Sequence, residues 1–149
     1  MFNKILVTLD GSALAERALK PAFEMAEKFH SEVILLRVPL AQQYVAMPSG
    51  NGALMTQEVL DRDRADTEAY LRAMHTQWRG LAPLLRTEAI AGEPASIILD
   101  VARTETVDVI VMCTHGRSGL SRLLYGSVAE SVLRGASVPV LLIPMKEAK

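Results

Sequence analysis

Val109-Ile110-Val111-Met112 runs into Cys113-Thr114-His115-Gly116-Arg117-Ser118-Gly119, and six residues later Gly126-Ser127 opens the stretch from Val128 to Ala136. The reading of this segment decides the fold. The β-branched run reads as a buried strand, and Val128 to Ala136 reads as a helix that starts where Gly126-Ser127 breaks the loop. A strand, a glycine-spaced loop and a helix N-terminus in that order are a common way to bind phosphate. The glycines let backbone N–H groups approach an anion, and the unpaired donors of the helix end favour it.

The rest of the chain supplies similar units. Ile5-Leu6-Val7-Thr8-Leu9 is a short apolar run that leaves through Asp10-Gly11-Ser12, a turn and helix-cap combination. From Ser12, Ala15, Ala18, Leu19, Ala22, Ala26 and Phe29 recur at helical spacing, with Pro21 expected to kink the helix or weaken its ladder. Val33 to Val38 is an almost continuously apolar second strand, as suits a strand covered on both faces. Residues 39–56 carry Pro39, Pro48, Gly50 and Gly52 with little periodicity, and read as a lid or a disordered segment. Leu60, Thr67, Leu71, Met74 and Trp78 mark a longer amphipathic helix, in which Tyr70, Met74 and Trp78 read as core contacts.

Leu84 to Ala91 reads as an edge strand because Arg86 and Glu88 alternate with apolar neighbours. Gly92-Glu93-Pro94 opens a third helix with proline in its first turn. Asp108 introduces the fourth strand, and Val138 to Ile143 is the fifth. The alternation βαβαβαβαβ predicts one α/β domain over residues 1–149, a five-stranded parallel doubly wound sheet with helices on both faces. With strand order 3-2-1-4-5, the order reverses between strands one and four, and ligands of such sheets bind outside the carboxyl ends at that point. Asp10 and the Cys113 to Gly119 loop then meet at one crevice.

Composition limits what that crevice serves. Half of the 149 residues are apolar, 22% are charged and the net charge is −1, which disfavours a nucleic-acid footprint or a membrane-surface patch. A single cysteine excludes an internal disulfide and suits a reducing compartment, so cytoplasm is the expected location. The N-terminus shows no apolar leader run, and no stretch approaches the roughly 20 apolar residues of a membrane span.

Within the candidate site several residues have two readings. Asp10 is either a partner for a base, a ribose or a phosphate-bound metal, or a cap of the first helix. Gly116 and Gly126 either admit a phosphate to the backbone or serve ordinary turns. Ser127 offers a hydroxyl and a backbone N–H to a ligand, and would look the same as a plain N-cap. No acidic residue lies between Asp108 and Glu130, whereas His115, Arg117 and Arg122 do, a bias suited to an anion. Cys113 reads as packing rather than as a reactive thiol, and His30 and His75 show no metal-ligand spacing. Walker A, G-x-G-x-x-G and G-x-S-x-G signatures are all missing, which removes the common hydrolase and dehydrogenase readings. No residue pair offers a general base, so no catalytic residue is assigned and hydrolysis of a bound ligand is expected to be slow or negligible.

On these residues the chain resembles a universal stress protein. The resemblance covers nearly the whole length and is carried by Ile5 to Ser12, Leu35-Leu36-Arg37-Val38, Gly92-Glu93-Pro94 and Asp108 to Pro144. It implies an ATP-binding regulatory protein of the stress response, with Mg or Mn accompanying the nucleotide and no metal site of its own. The family's pattern is glycine, two residues, glycine, nine residues, glycine, then Ser or Thr. Gly116, Gly126 and Ser127 match it, and Cys113 stands in place of the first glycine. By resemblance Asp10 and Val38 border adenine and ribose, and Gly116, Gly126, Ser127 and Val128 hold phosphates. Thr8, Cys113, Arg117 and Gly119 complete the implied nucleotide set. The resemblance further implies a homodimer paired through the last strand, with Val138, Val140, Leu141, Leu142 and Ile143 at the interface. A dimeric interaction protein of the same fold that binds no nucleotide is the alternative.

Overall fold

The computed structural model describes residues 1–39, 56–114 and 126–144. The apolar runs become strands β1 (Lys4–Leu9), β2 (Glu32–Arg37), β3 (Leu84–Ala89), β4 (Val109–Cys113) and β5 (Val140–Ile143). They form one sheet in the order β3-β2-β1-β4-β5, with every neighbouring pair parallel. The expected order and class are therefore those observed.

Residue parity explains the layers. Successive side chains of a strand face opposite sides, so Ile5, Val7, Val33, Leu35, Val109 and Val111 pack on one face against α1 (Leu19–Phe29) and α2 (Gln57–Trp78). Leu6, Ile34, Leu36, Ile110 and Met112 pack on the other against α3 (Pro94–Thr104) and α4 (Ser127–Gly135). The central strands are buried on both faces, which is why their sequences run apolar without alternation. At the edge, β3 keeps Arg86, Glu88 and their alternation; Arg86 reaches Glu32 on β2 at 2.6 Å and Glu105 beyond α3 at 2.5 Å.

Three boundaries differ from expectation by more than one residue. The first helix is not continuous from Ser12: Ala15–Ala18 form a 3₁₀ turn before α1 begins at Leu19. Pro21 is then the third residue of α1, where a backbone N–H has no intrahelical acceptor, so the proline removes no bond and breaks nothing. The fifth strand begins at Val140 rather than Val138, because Pro139 has no N–H to give a ladder and only its carbonyl pairs, accepting from Ile110 at 3.0 Å. β3 ends at Ala89, although Ile90 still donates to the Arg37 carbonyl at 3.3 Å.

Candidate functional site

The register brings the carboxyl ends of three strands level. Leu9 pairs with Arg37, and Val7 pairs with Val111, so Cys113 lies across from Leu9 two residues further on. The crevice between β1 and β4 is therefore walled by the segment after Leu9 and the segment after Cys113, with Val38 just beyond β2. Val38 is buried and Thr8 is half-buried.

The N-terminus of α4 lies at the same carboxyl end of the sheet as the Asp10 turn. Gly126 is its N-cap residue with φ 62 and ψ 156, a region essentially restricted to glycine. Ser127 is thus the first helical residue and not the N-cap, which removes the plain-cap reading of its hydroxyl. As a glycine, Gly126 has no side chain to cap this helix, whose leading N–H groups have no intrahelical acceptors. The two α4 residues in the second core, Ala129 and Val132, are buried, while Ser127 is exposed. Val128 lies between, partly buried against that core. A helix N-terminus, with its leading donors and the positive end of its dipole, favours an anion in chemical terms.

Cys113 points elsewhere. Its side chain belongs to the α1 face of the sheet, where Sγ donates to the Leu14 carbonyl at 3.1 Å. Burial pushes the thiol pKa up, so it is held as a neutral packing group, as the sequence suggested. Because α4 packs on the opposite face, the side chain that replaces the family's first glycine does not intrude on the helix end.

The Asp10 turn is tightly organised. Asp10 Oδ1 accepts from the backbone N–H and the hydroxyl of Ser12, at 2.8 and 2.5 Å. Ser12 Oγ in turn accepts from Ala15 N at 3.1 Å. Asp10 therefore builds an Asx turn, and capping of the following 3₁₀ turn falls to Ser12. Gly11 takes φ +85 inside this turn, and a Cβ there would lie 2.7 Å from Arg37 Cζ.

Arg37 and Tyr70 are site residues that the sequence reading missed. Arg37 is only 7% exposed, and its guanidinium carbon lies 4.9 Å from the centroid of the Tyr70 ring. Tyr70 donates to Glu16 at 2.9 Å; burial and the Glu16 carboxylate push its phenol up. Tyr70, Met74 and Trp78 all pack on the first core as expected, with Trp78 stacked on Phe23 at 4.7 Å, and the Tyr70 hydroxyl reaches Glu16 as well. The signal for Arg37 was present as the single charge within the apolar run Val33 to Val38.

Of the expected nucleotide set, Thr8, Asp10, Val38, Cys113, Gly126, Ser127 and Val128 are brought to this end of the sheet. Gly116, Arg117 and Gly119 lie outside the described residues, as does the segment from 40 to 55 expected as a lid. Among the described residues no group of three or more His, Cys, Asp or Glu could hold a metal ion. None of their helices is long and apolar enough to cross a membrane.

The fold and crevice define a class: a parallel α/β domain with a glycine-led helix N-terminus at the carboxyl end of its sheet. A profile described as "Universal stress protein family" matches residues 1–144, and the chain belongs to that family. It is 33% identical to universal stress protein MJ0531 of Methanocaldococcus jannaschii, across 99% of this chain and 86% of that one. It is 31% identical to universal stress protein YxiE of Bacillus subtilis, across 96% and 99%. Among solved structures, hypothetical protein MJ0577 superposes with a TM-score of 0.84 at 28% identity, covering 99% of both chains. Two more distant structures share the fold. One is a universal stress protein in complex with cAMP, TM-score 0.71 at 20% identity over 97% and 98% of the chains. The other is an Arabidopsis thaliana family member with AMP bound, TM-score 0.60 at 17% identity over 95% and 91%.

Proposed function

We propose that this chain binds ATP in the crevice between β1 and β4, and that the nucleotide sets its conformation and dimerisation in a stress response. The observation that carries this reading is the N-terminus of α4 behind the glycine N-cap Gly126, at the same carboxyl end of the sheet as the Asp10 turn. In this reading Asp10, Thr8 and Val38 border base and ribose, and Gly126, Ser127 and Val128 hold phosphate, with Gly116, Arg117 and Gly119 of the connecting loop. Two members of this fold carry cAMP and AMP, which supports an adenine nucleotide as the class of ligand. Magnesium or manganese arrives with the phosphates, since Asp10 is the one carboxylate at this turn. The protein acts as a regulator in the cytoplasm, and hydrolysis is at most slow.

Cys113, the departure from the family's glycine pattern, does not favour the alternative without nucleotide, because its side chain is committed to the α1 face. Dimerisation draws support from β5, an edge strand of apolar residues with Leu141 37% exposed. Unpaired apolar edges are templates for a second strand.

Ser127→Asp tests the phosphate assignment without harming the helix. A carboxylate in the first turn favours the dipole by about 0.3–1 kcal/mol, yet it repels a phosphate. Calorimetric titration should give ATP binding in the wild-type chain and a loss of at least tenfold in the variant, which should melt no lower, a loss of about 1.4 kcal/mol in binding. Equal affinity in the two proteins contradicts the assignment.

A further inference from the structure

Arg37 poses a problem that the α4 site does not solve. It is among the few charged side chains buried in the described structure, and its Nε has no hydrogen-bond partner. Among the described residues its side chain forms no ion pair, and the guanidinium lies on the face of Tyr70. The nearby carboxylates are engaged locally: Asp10 Oδ1 by Ser12, and Glu16 Oε1 by the Tyr70 hydroxyl. Burying a guanidinium costs several times what an aromatic face returns, so such groups are ordinarily paired.

Its position indicates the missing partner. The guanidinium is wedged between the α-carbon of Gly11 and the Tyr70 ring, at the carboxyl ends of β1 and β2. It lies beside Asp10 and Val38, on the α1 and α2 face of the sheet. The N-terminus of α4 is on the other face. A planar fork of donors held in place by a ring and a glycine is preorganised for the oxygens of a phosphoryl group.

We propose that Arg37 forms a second anion subsite of the crevice, receiving the phosphoryl group nearest the ribose of the bound nucleotide. The proposal rests on the nucleotide reading and deepens it. It assigns Gly11 a reason: any side chain there would displace the guanidinium. It also explains a buried charge tolerated in the ligand-free fold, because the ligand supplies its counter-ion.

The experiment titrates wild type, Arg37→Met and Arg37→Lys with ATP, AMP, adenosine and inorganic phosphate, and records the melting temperature of each ligand-free protein. Arg37→Met should lose at least about tenfold in affinity for AMP and ATP while its adenosine affinity holds. Its ligand-free form should melt at or above wild type, because an unpaired buried charge has been replaced by an apolar chain. A lower melting temperature with unchanged discrimination between AMP and adenosine makes Arg37 purely structural and overturns the proposal. Wild-type ATP binding matched by Arg37→Met also overturns it, and leaves the nucleotide reading intact. Binding of inorganic phosphate lost in Arg37→Met, with no nucleotide bound by wild type, supports the subsite and overturns the nucleotide reading. A wild type that binds neither overturns both. Where Arg37→Met does not fold, Arg37→Lys decides: it keeps the charge without the fork, so reduced AMP affinity supports the proposal and wild-type affinity overturns it.

Discussion

Single residues at the crevice carry constraints that can be read as stability. Gly11 combines positive φ with a van der Waals wall, so Gly11→Ala meets both backbone strain and Arg37. The strain alone is worth about 1–3 kcal/mol, and chemical denaturation should show a loss of at least that size. A loss below half a kilocalorie would mean that the turn relaxes freely. Cys113 makes the opposite kind of prediction. With its thiol pushed up by burial and 8% exposed, it should react with a thiol reagent only as fast as the chain opens. Rapid labelling of the native protein at neutral pH would contradict its placement. In sequence Cys113 was visible only as the residue in place of the family's first glycine, because spacing identifies a position and says nothing of which sheet face its side chain takes. Register with β1 and β5 supplies that missing fact. Arg37 was legible only as an oddity of composition, since a charge in an apolar run has no explanation until its neighbours are known.

At the scale of elements, much was legible and the ends were not. Apolar runs without alternation identified the central strands because burial on both faces leaves no polar side. The edge position of β3 followed from Arg86 and Glu88. Helix starts were harder, since Ser127, Gly126 and Glu93 all resemble caps in sequence. Glu93 is the cap of α3, accepting from Ala95 and Ser96 at 3.1 and 2.7 Å. Burial raises its pKa, but the hydrogen bonds from Ser96 and Ala95 outweigh that and hold it below the usual range. Glu105 is likewise lowered, foremost by its hydrogen bond from Arg86. Both carboxyls have folded pKa values below an unfolded value of about 4.3, so their stabilisation is complete above it and is lost as pH falls through the folded values. The melting temperature should hold steady near neutral pH and decline below about pH 4.5. Glu105→Gln should shallow that decline, and an unchanged slope would remove Glu105 from the acid response. Glu93→Ala should cost about 1 kcal/mol at neutral pH, measured by denaturant titration.

For the molecule as a whole, the class and strand order were legible because crossover chemistry leaves few topologies for alternating strands and helices. The assembly was not, since an apolar edge in sequence looks the same whether it meets a copy of itself or a helix. On the proposed account β5 meets β5. Leu141→Lys should therefore shift a dimer to monomer in sedimentation velocity while the far-ultraviolet spectrum stays that of the wild type. A dimer persisting in the variant would place the contact elsewhere. The central claim is that the crevice between β1 and β4 holds ATP, and thermal unfolding with Mg-ATP against magnesium alone tests it most directly. A ligand present at about 100 times its dissociation constant stabilises the native state by about 2.7 kcal/mol, which the account predicts as a clear rise in melting temperature. An identical melting temperature with millimolar Mg-ATP and with magnesium alone would contradict it.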